Sequence, residues 1–254
     1  MKEYRISKSE SRFLSLFRRF RVETLWVEVR KREKDYIPAF IYVPSTFALS
    51  NRKFIYKTKL TKIAPVYTIA PVPALEDAFI FEAYSAERDK TLSFLINKQD
   101  LIDFINNDWE KEFLISRLKQ RARFPASVIL PSNYSQTEAK RLYSKLHYGE
   151  GVKKDAYMFD VDVALLERDN GELDFVSLLE YKTGRELSYQ KDYLTYNEIV
   201  GYRFLSKLYR TLLVVGERSF KVYNFTGDDR DYIGSVSQER LEDFLREAIY
   251  SPSL

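Results

Sequence analysis

Residues 156–184 read AYMFDVDVALLERDNGELDFVSLLEYKTG, two apolar runs on either side of Asp169-Asn170-Gly171. Asp-Asn-Gly is a strong short-range hairpin signal, because the tightest turns need residues that accept a left-handed backbone. The stretch therefore predicts two antiparallel strands. Side chains alternate between the faces of a strand, so Phe159, Val161, Val163 and Leu165 are expected on one side. Asp160 and Asp162 are expected on the other, with Ala164. In the second strand Glu180 and Lys182 share a face, and Tyr181 turns to the opposite, core-facing side. If pairing joins the polar faces, two or three carboxylates and one ammonium meet at the end of a sheet. Such a cluster is repulsive unless a cation neutralises it. Carboxylate oxygens suit magnesium or manganese, with waters and phosphate oxygens completing the shell.

The flanking sequence places this hairpin in an α/β unit. Ser135 is followed three residues later by Glu138, a capping-box start for a helix through His147. After the hairpin, residues 185–210 predict a helix with Tyr189, Tyr193, Tyr196, Val200, Phe204 and Leu208 on one apolar face, expected in the core. RTLLVVG and SFKVYNF then read as strands, and SQERLEDFLREAIY as a closing helix. Helix, hairpin, helix and strands together make a compact α/β (α+β) arrangement.

Upstream, the segments TLWVEVRK, YIPAFIYVP, FIYKTKLTKI, VYTIAPVP, EDAFIFEAYS and TLSFLINK are aromatic and β-branched, and they predict a mainly antiparallel β-rich region. Pro38, Pro65 and Pro71 suit its edges. Gln99 to Arg123 turns helical, with Trp109, Phe113, Leu114 and Leu118 at helical spacing. Pro125 and Pro131 then bracket a short apolar junction. The reading divides the chain into a β-rich region with helical ends, residues 1–125, and an α/β domain, residues 126–254. FRRFRVE, with Lys8 and Arg12 before it, mixes cations with aromatics, as a phosphate-contacting surface would. It also reads as an amphipathic helix burying Phe13, Leu16, Phe17 and Phe20.

Composition narrows the chemistry. The 254 residues contain no cysteine and one histidine, His147, which excludes thiol catalysis, disulfides and thiolate or histidine-rich zinc sites. The formal charge of +4 permits a polyanionic partner without requiring one. With no signal-like N-terminus and no membrane-length apolar run, a soluble, cytoplasmic protein without a membrane partner is expected.

Asp162, the hairpin and Glu180-Tyr181-Lys182 resemble the D…(D/E)xK signature of the PD-(D/E)XK nuclease superfamily. Thr183-Gly184 and the following expected helix with Gln190 and Tyr193 are similar to its RecB-like exonuclease branch. The resemblance covers residues 135–225 or so and implies a restriction-endonuclease-like core, a central mixed sheet flanked by helices. It implies metal-dependent hydrolysis of DNA by Asp162, Glu180, Lys182 and Gln190. Asp162, Glu180, the Tyr181 carbonyl, His147 and Asp160 would be ligands to Mg²⁺ or Mn²⁺. The N-terminal region would position DNA or build a homodimer. Two alternatives stand beside this: a structure-selective endonuclease like a junction resolvase, and a non-catalytic DNA-binding protein on the same fold.

Overall fold

A computed structural model describes residues 13, 21–32, 35–44, 58–71, 78–85, 90–106, 156–169, 172–183, 194–226 and 229–250. Within them are strands β1 (Arg21–Arg32), β2 (Asp35–Pro44), β3 (Val66–Pro71), β4 (Ala78–Ser85) and β5 (Lys90–Asn97), followed by helix α1 (Lys98–Asn106). Later come β6 (Ala156–Asp169), β7 (Glu172–Lys182), α2 (Tyr196–Leu205), β8 (Arg210–Gly216), β9 (Ser219–Thr226), β10 (Asp229–Ser237) and α3 (Leu241–Tyr250). The chain is mixed α/β and mostly strand. His147, Gln190, Glu138, Tyr189, Tyr193 and the expected junction near residue 125 lie outside the described residues.

The strands follow the order β10-β9-β8-β7-β6-β1-β2-β3-β4-β5. Seven of them, from β10 to β2, form a mixed block, and β3-β4-β5 form an antiparallel block that meets β2 through a parallel pairing. β6 and β7 pair antiparallel out to Asp169 and Glu172, as the two strands that Asp-Asn-Gly predicts. β7 and β8 run parallel, which requires a crossover, and α2 lies in it. On one face, Val200, Tyr202 and Leu205 of α2 pack with Val161, Leu178 and Leu213 of the sheet. On the other, Leu241, Leu245, Ala248 and Ile249 of α3 pack with Val163, Leu179 and Val214. The sheet between is buried on both sides, and β8 reads as an uninterrupted apolar run for that reason.

Two glycines fix close approaches. A Cβ on Gly201 would lie 1.9 Å from the Phe159 ring, so α2 reaches β6 only because residue 201 has none. Gly216 has φ +137°, and a Cβ there would meet the Ser219 carbonyl oxygen at 2.1 Å; the β8–β9 turn needs glycine on both counts.

Several expectations are corrected. Strict alternation fails in β6: Phe159 and Val161 pack with Ala164 and Leu166 on the α2 side, while Val163 and Leu165 join the α3 side. The pairing with β1 explains the break, because Leu25 faces Val161 and Glu23 faces Ala164, leaving Asp162 and Val163 opposite the single residue 24. That two-against-one count is a β-bulge. FIYKTKLTKI is not a strand throughout; Lys59–Lys62 form a 3₁₀ turn, where Thr61 donates both its backbone N–H and its hydroxyl to the Thr58 carbonyl and Leu60 is buried. The helix expected from residue 185 has its N-cap at Thr195, whose extended backbone (φ −69°, ψ 161°) breaks the helical phase. Glu198, Tyr202 and Leu205 consequently face the sheet, and Tyr196, expected in the core, is 60% exposed. β10 is a strand that the sequence pattern did not announce.

Candidate active site

The β6·β7 ladder ends at the pair Val163–Leu179. One residue beyond on β6, in the bulge, Asp162 Oδ2 accepts the backbone N–H of Tyr181 at 2.9 Å. A side chain thus takes over from the backbone ladder as the strands separate. Asp162 is buried with 9% exposure, so this bond satisfies a carboxylate that would otherwise be costly to desolvate.

Glu180 follows on the α2 side and is 3% exposed. Its Oε2 accepts the Tyr202 hydroxyl at 2.5 Å, and its Oε1 lies 2.7 Å from Lys182 Nζ. Lys182 also donates to Glu198 Oε1 at 2.8 Å. Glu198 is the third residue of α2 and completes a capping box: Thr195 donates its N–H to Glu198 Oε2, and Thr195 Oγ1 accepts the Glu198 N–H at 3.3 Å. The ammonium therefore sits between a strand carboxylate and a helix-cap carboxylate. Glu180 and Lys182 share a face as the two-residue period predicts, and Tyr181 turns away. Its ring stacks on Phe13 at 4.4 Å and its hydroxyl donates to the Gly216 carbonyl at 2.9 Å. Phe13 is buried as the amphipathic reading expects.

The electrostatics are those of a buried, acid-rich cluster. Burial pushes the Glu180 carboxyl well above the ordinary carboxylate range, and Asp162, Glu198 and Asp160 push it further against the opposing pull of Lys182. Lys182 holds its proton more firmly than a free lysine: burial works against the charge, and the two carboxylates overcome it. The Tyr202 phenol is likewise raised, by burial and by the same carboxylates, so it stays a donor. Asp160 is half-buried between Phe159 and Val161, which both pack on the α2 side, so alternation directs it to the other face. This corrects the expected shared face of Asp160 with Glu180; its influence is the smallest of those acting on Glu180.

Glu180 feels more carboxylates than cations, Asp162 and Glu198 against Lys182, and such an excess of negative charge in oxygen donors is what a hard divalent cation fits. Among the described residues, no group of three or more Asp, Glu or His side chains closes on a point that could hold a metal ion. Magnesium usually takes only one or two carboxylates and keeps waters and substrate oxygens, so Asp162 with Glu180 is a sufficient protein share. The donor chemistry fits the ion.

Glu198 and Tyr202 were missed by sequence reasoning, and both carried a signal. Thr195-x-x-Glu198 is itself a capping-box pattern, and Tyr202 stands four residues on, the spacing that shares a helix face. No helix among the described residues is long and apolar enough to cross a membrane. Comparison with family models, with curated proteins and with solved structures returned no match to this chain.

Proposed function

We infer that this chain is a Mg²⁺- or Mn²⁺-dependent DNA nuclease that hydrolyses phosphodiester bonds, with a restriction-endonuclease-like core and RecB-like exonuclease character. The observation that carries the reading is Lys182 held 2.7 Å from Glu180 where the β6·β7 ladder opens around Asp162. Asp162 and Glu180 would hold the ion, with the Tyr181 carbonyl as a further donor. The bound ion would supply an acidified water and stabilise charge on the scissile phosphate. Lys182, protonated and fixed from both sides, would stand beside that water and offset charge on the phosphate oxygens. Tyr202 orients Glu180, and Glu198 keeps the Lys182 ammonium in place. Gln190 would orient the water or a phosphate oxygen, and His147 would serve as an additional ligand.

The test uses purified full-length chain with labelled single-stranded, double-stranded and branched DNA in Mg²⁺, Mn²⁺ or EDTA. The expected result is cleavage with either metal and none in EDTA, progressive from ends for the exonuclease reading. Paired incisions confined to branched DNA would move the assignment to a dimeric junction resolvase. Cleavage that persists in EDTA would overturn the metal site.

A second reading, a non-catalytic DNA-binding protein, has its own support. Both oxygens of Glu180 and both of Glu198 are engaged within the protein, as a purely structural ion network would have them. DNA binding without cleavage under every metal would favour it.

A further inference from the structure

The end of β7 that carries Glu180 and Lys182 is laddered along one edge only. Toward β6 the pairing stops at Leu179, whereas toward β8 it continues through Glu180–Leu213 and Tyr181–Val214 to Lys182–Val215. On the β6 side the Asp162 carboxylate takes the Tyr181 N–H where the ladder has ended. A strand end held in this way can still turn about its own axis. Any such turn moves Glu180 and Lys182 together, because both stand on the face opposite Tyr181. The orientation of the Tyr181 side chain therefore sets the orientation of the two charged ones.

Tyr181 is buried, and its hydroxyl donates to the Gly216 carbonyl at 2.9 Å. Its ring meets two others: Phe220, with centroids 6.4 Å apart and planes at 49°, and Phe13, at 4.4 Å and 11°. Phe220 belongs to the same sheet, on β9 opposite Gly216. Phe13 does not; it comes from ahead of β1 and is buried in the core on the α3 side. A near-parallel stack fixes the plane of its partner ring as well as its position. We propose that Phe13 is a positioning residue of the active site, whose ring, stacked on Tyr181 behind β7, sets the strand end so that Glu180 and Lys182 are aligned for the phosphodiester. This rests on the DNA-nuclease reading, and it makes a residue from the β-rich N-terminal part of the sequence a component of the catalytic scaffold.

The test compares wild type with Phe13→Leu, Phe13→Ala and, as a control, Leu245→Ala, which opens a cavity in the same α3-side core. Each full-length chain is shown by its thermal transition to be folded at the assay temperature. Single-turnover cleavage of a labelled oligonucleotide in Mg²⁺ is expected to slow about tenfold in Phe13→Ala and less in Phe13→Leu, because small misplacements of reacting groups are costly in rate. Binding of the same oligonucleotide in EDTA should be unchanged, and Leu245→Ala, though less stable, should cut at the wild-type rate. Amide hydrogen exchange gives a readout that needs no cleavage. In Phe13→Ala the Tyr181 amide should exchange about tenfold faster, relative to the Leu212 amide of β8, than it does in wild type. A wild-type cleavage rate in Phe13→Ala, an equal slowing in Leu245→Ala, a loss of binding that matches the loss of rate, or an unchanged exchange ratio would overturn the assignment. If wild type cuts no DNA, the nuclease reading falls, and the exchange ratio alone then decides whether Phe13 sets the end of β7.

Discussion

Lys182 Nζ lies 2.8 Å from Glu198 Oε1, and the other oxygen of the same Glu198 caps α2 through the Thr195 N–H. One side chain thereby sets the start of a helix and the position of a buried ammonium. Placement of the charge and phase of the helix are consequences of one another.

Substitutions at Glu198 separate the two roles. Glu198→Gln retains an oxygen for the Thr195 N–H and is expected to cost less than about 1 kcal/mol, whereas Glu198→Ala loses the cap and leaves Lys182 with one partner, costing about 2–3 kcal/mol. Urea unfolding of the two variants checks the order. Equal losses would mean that the cap carries none of the effect.

Gly201→Ala would place a Cβ 1.9 Å from the present Phe159 ring position. Either the ring or α2 must move, and a loss of about 1–3 kcal/mol is expected despite alanine's better helix propensity. Phe159→Leu in the same chain should recover part of it, because the smaller side chain opens the space. A double-mutant cycle from thermal or urea unfolding reads this directly, and additive losses would contradict the contact.

Asp162→Ala leaves the buried Tyr181 N–H without its side-chain acceptor and should cost about 1–3 kcal/mol, while Asp162→Asn keeps an acceptor and should stay within about 1 kcal/mol of wild type. Urea midpoints in EDTA measure this without involving metal. If Asn proves as damaging as Ala, the charge and not the hydrogen bond holds the bulge.

Glu180 gives a pH dependence with a definite sign. Its carboxyl is raised in the folded chain, first by burial and then by Asp162, so the folded state keeps a proton that the unfolded chain releases near the ordinary value of 4.5. Metal-free stability should therefore fall as pH rises from about 4.5 through the folded value, by at most about 1.4 kcal/mol per pH unit from this group. Glu180→Gln removes the dependence. In EDTA, its Tm minus that of wild type should increase across this window, and a constant difference would contradict the raised carboxyl.

The sequence was most legible where local chemistry acts alone. Asn170-Gly171 specified the hairpin, and the spacing of Glu180 and Lys182 put both on one face with Tyr181 on the other. It was less legible where a distant strand intervenes. The parity of β6 breaks at Asp162 because β1 pairs with it out of step, and nothing within residues 156–169 announces that partner. Tyr196 was assigned to the core by carrying a helical period across Thr195, which is extended and restarts the phase. The polar DRDYIGSVS gave no apolar alternation, because β10 ends the sheet and exposes most of its side chains.

The central claim is that Glu180 and Lys182 act on a phosphodiester bond together with a divalent ion. The measurement that meets it most directly is single-turnover cleavage of a labelled oligonucleotide in Mg²⁺ by wild type, Glu180→Gln and Lys182→Ala, each shown to be folded by its thermal transition. Wild type is expected to cut, and each variant to be slower by about 10²-fold or more, as loss of a group that stabilises developing charge requires. Folded variants that cut at the wild-type rate would contradict the account.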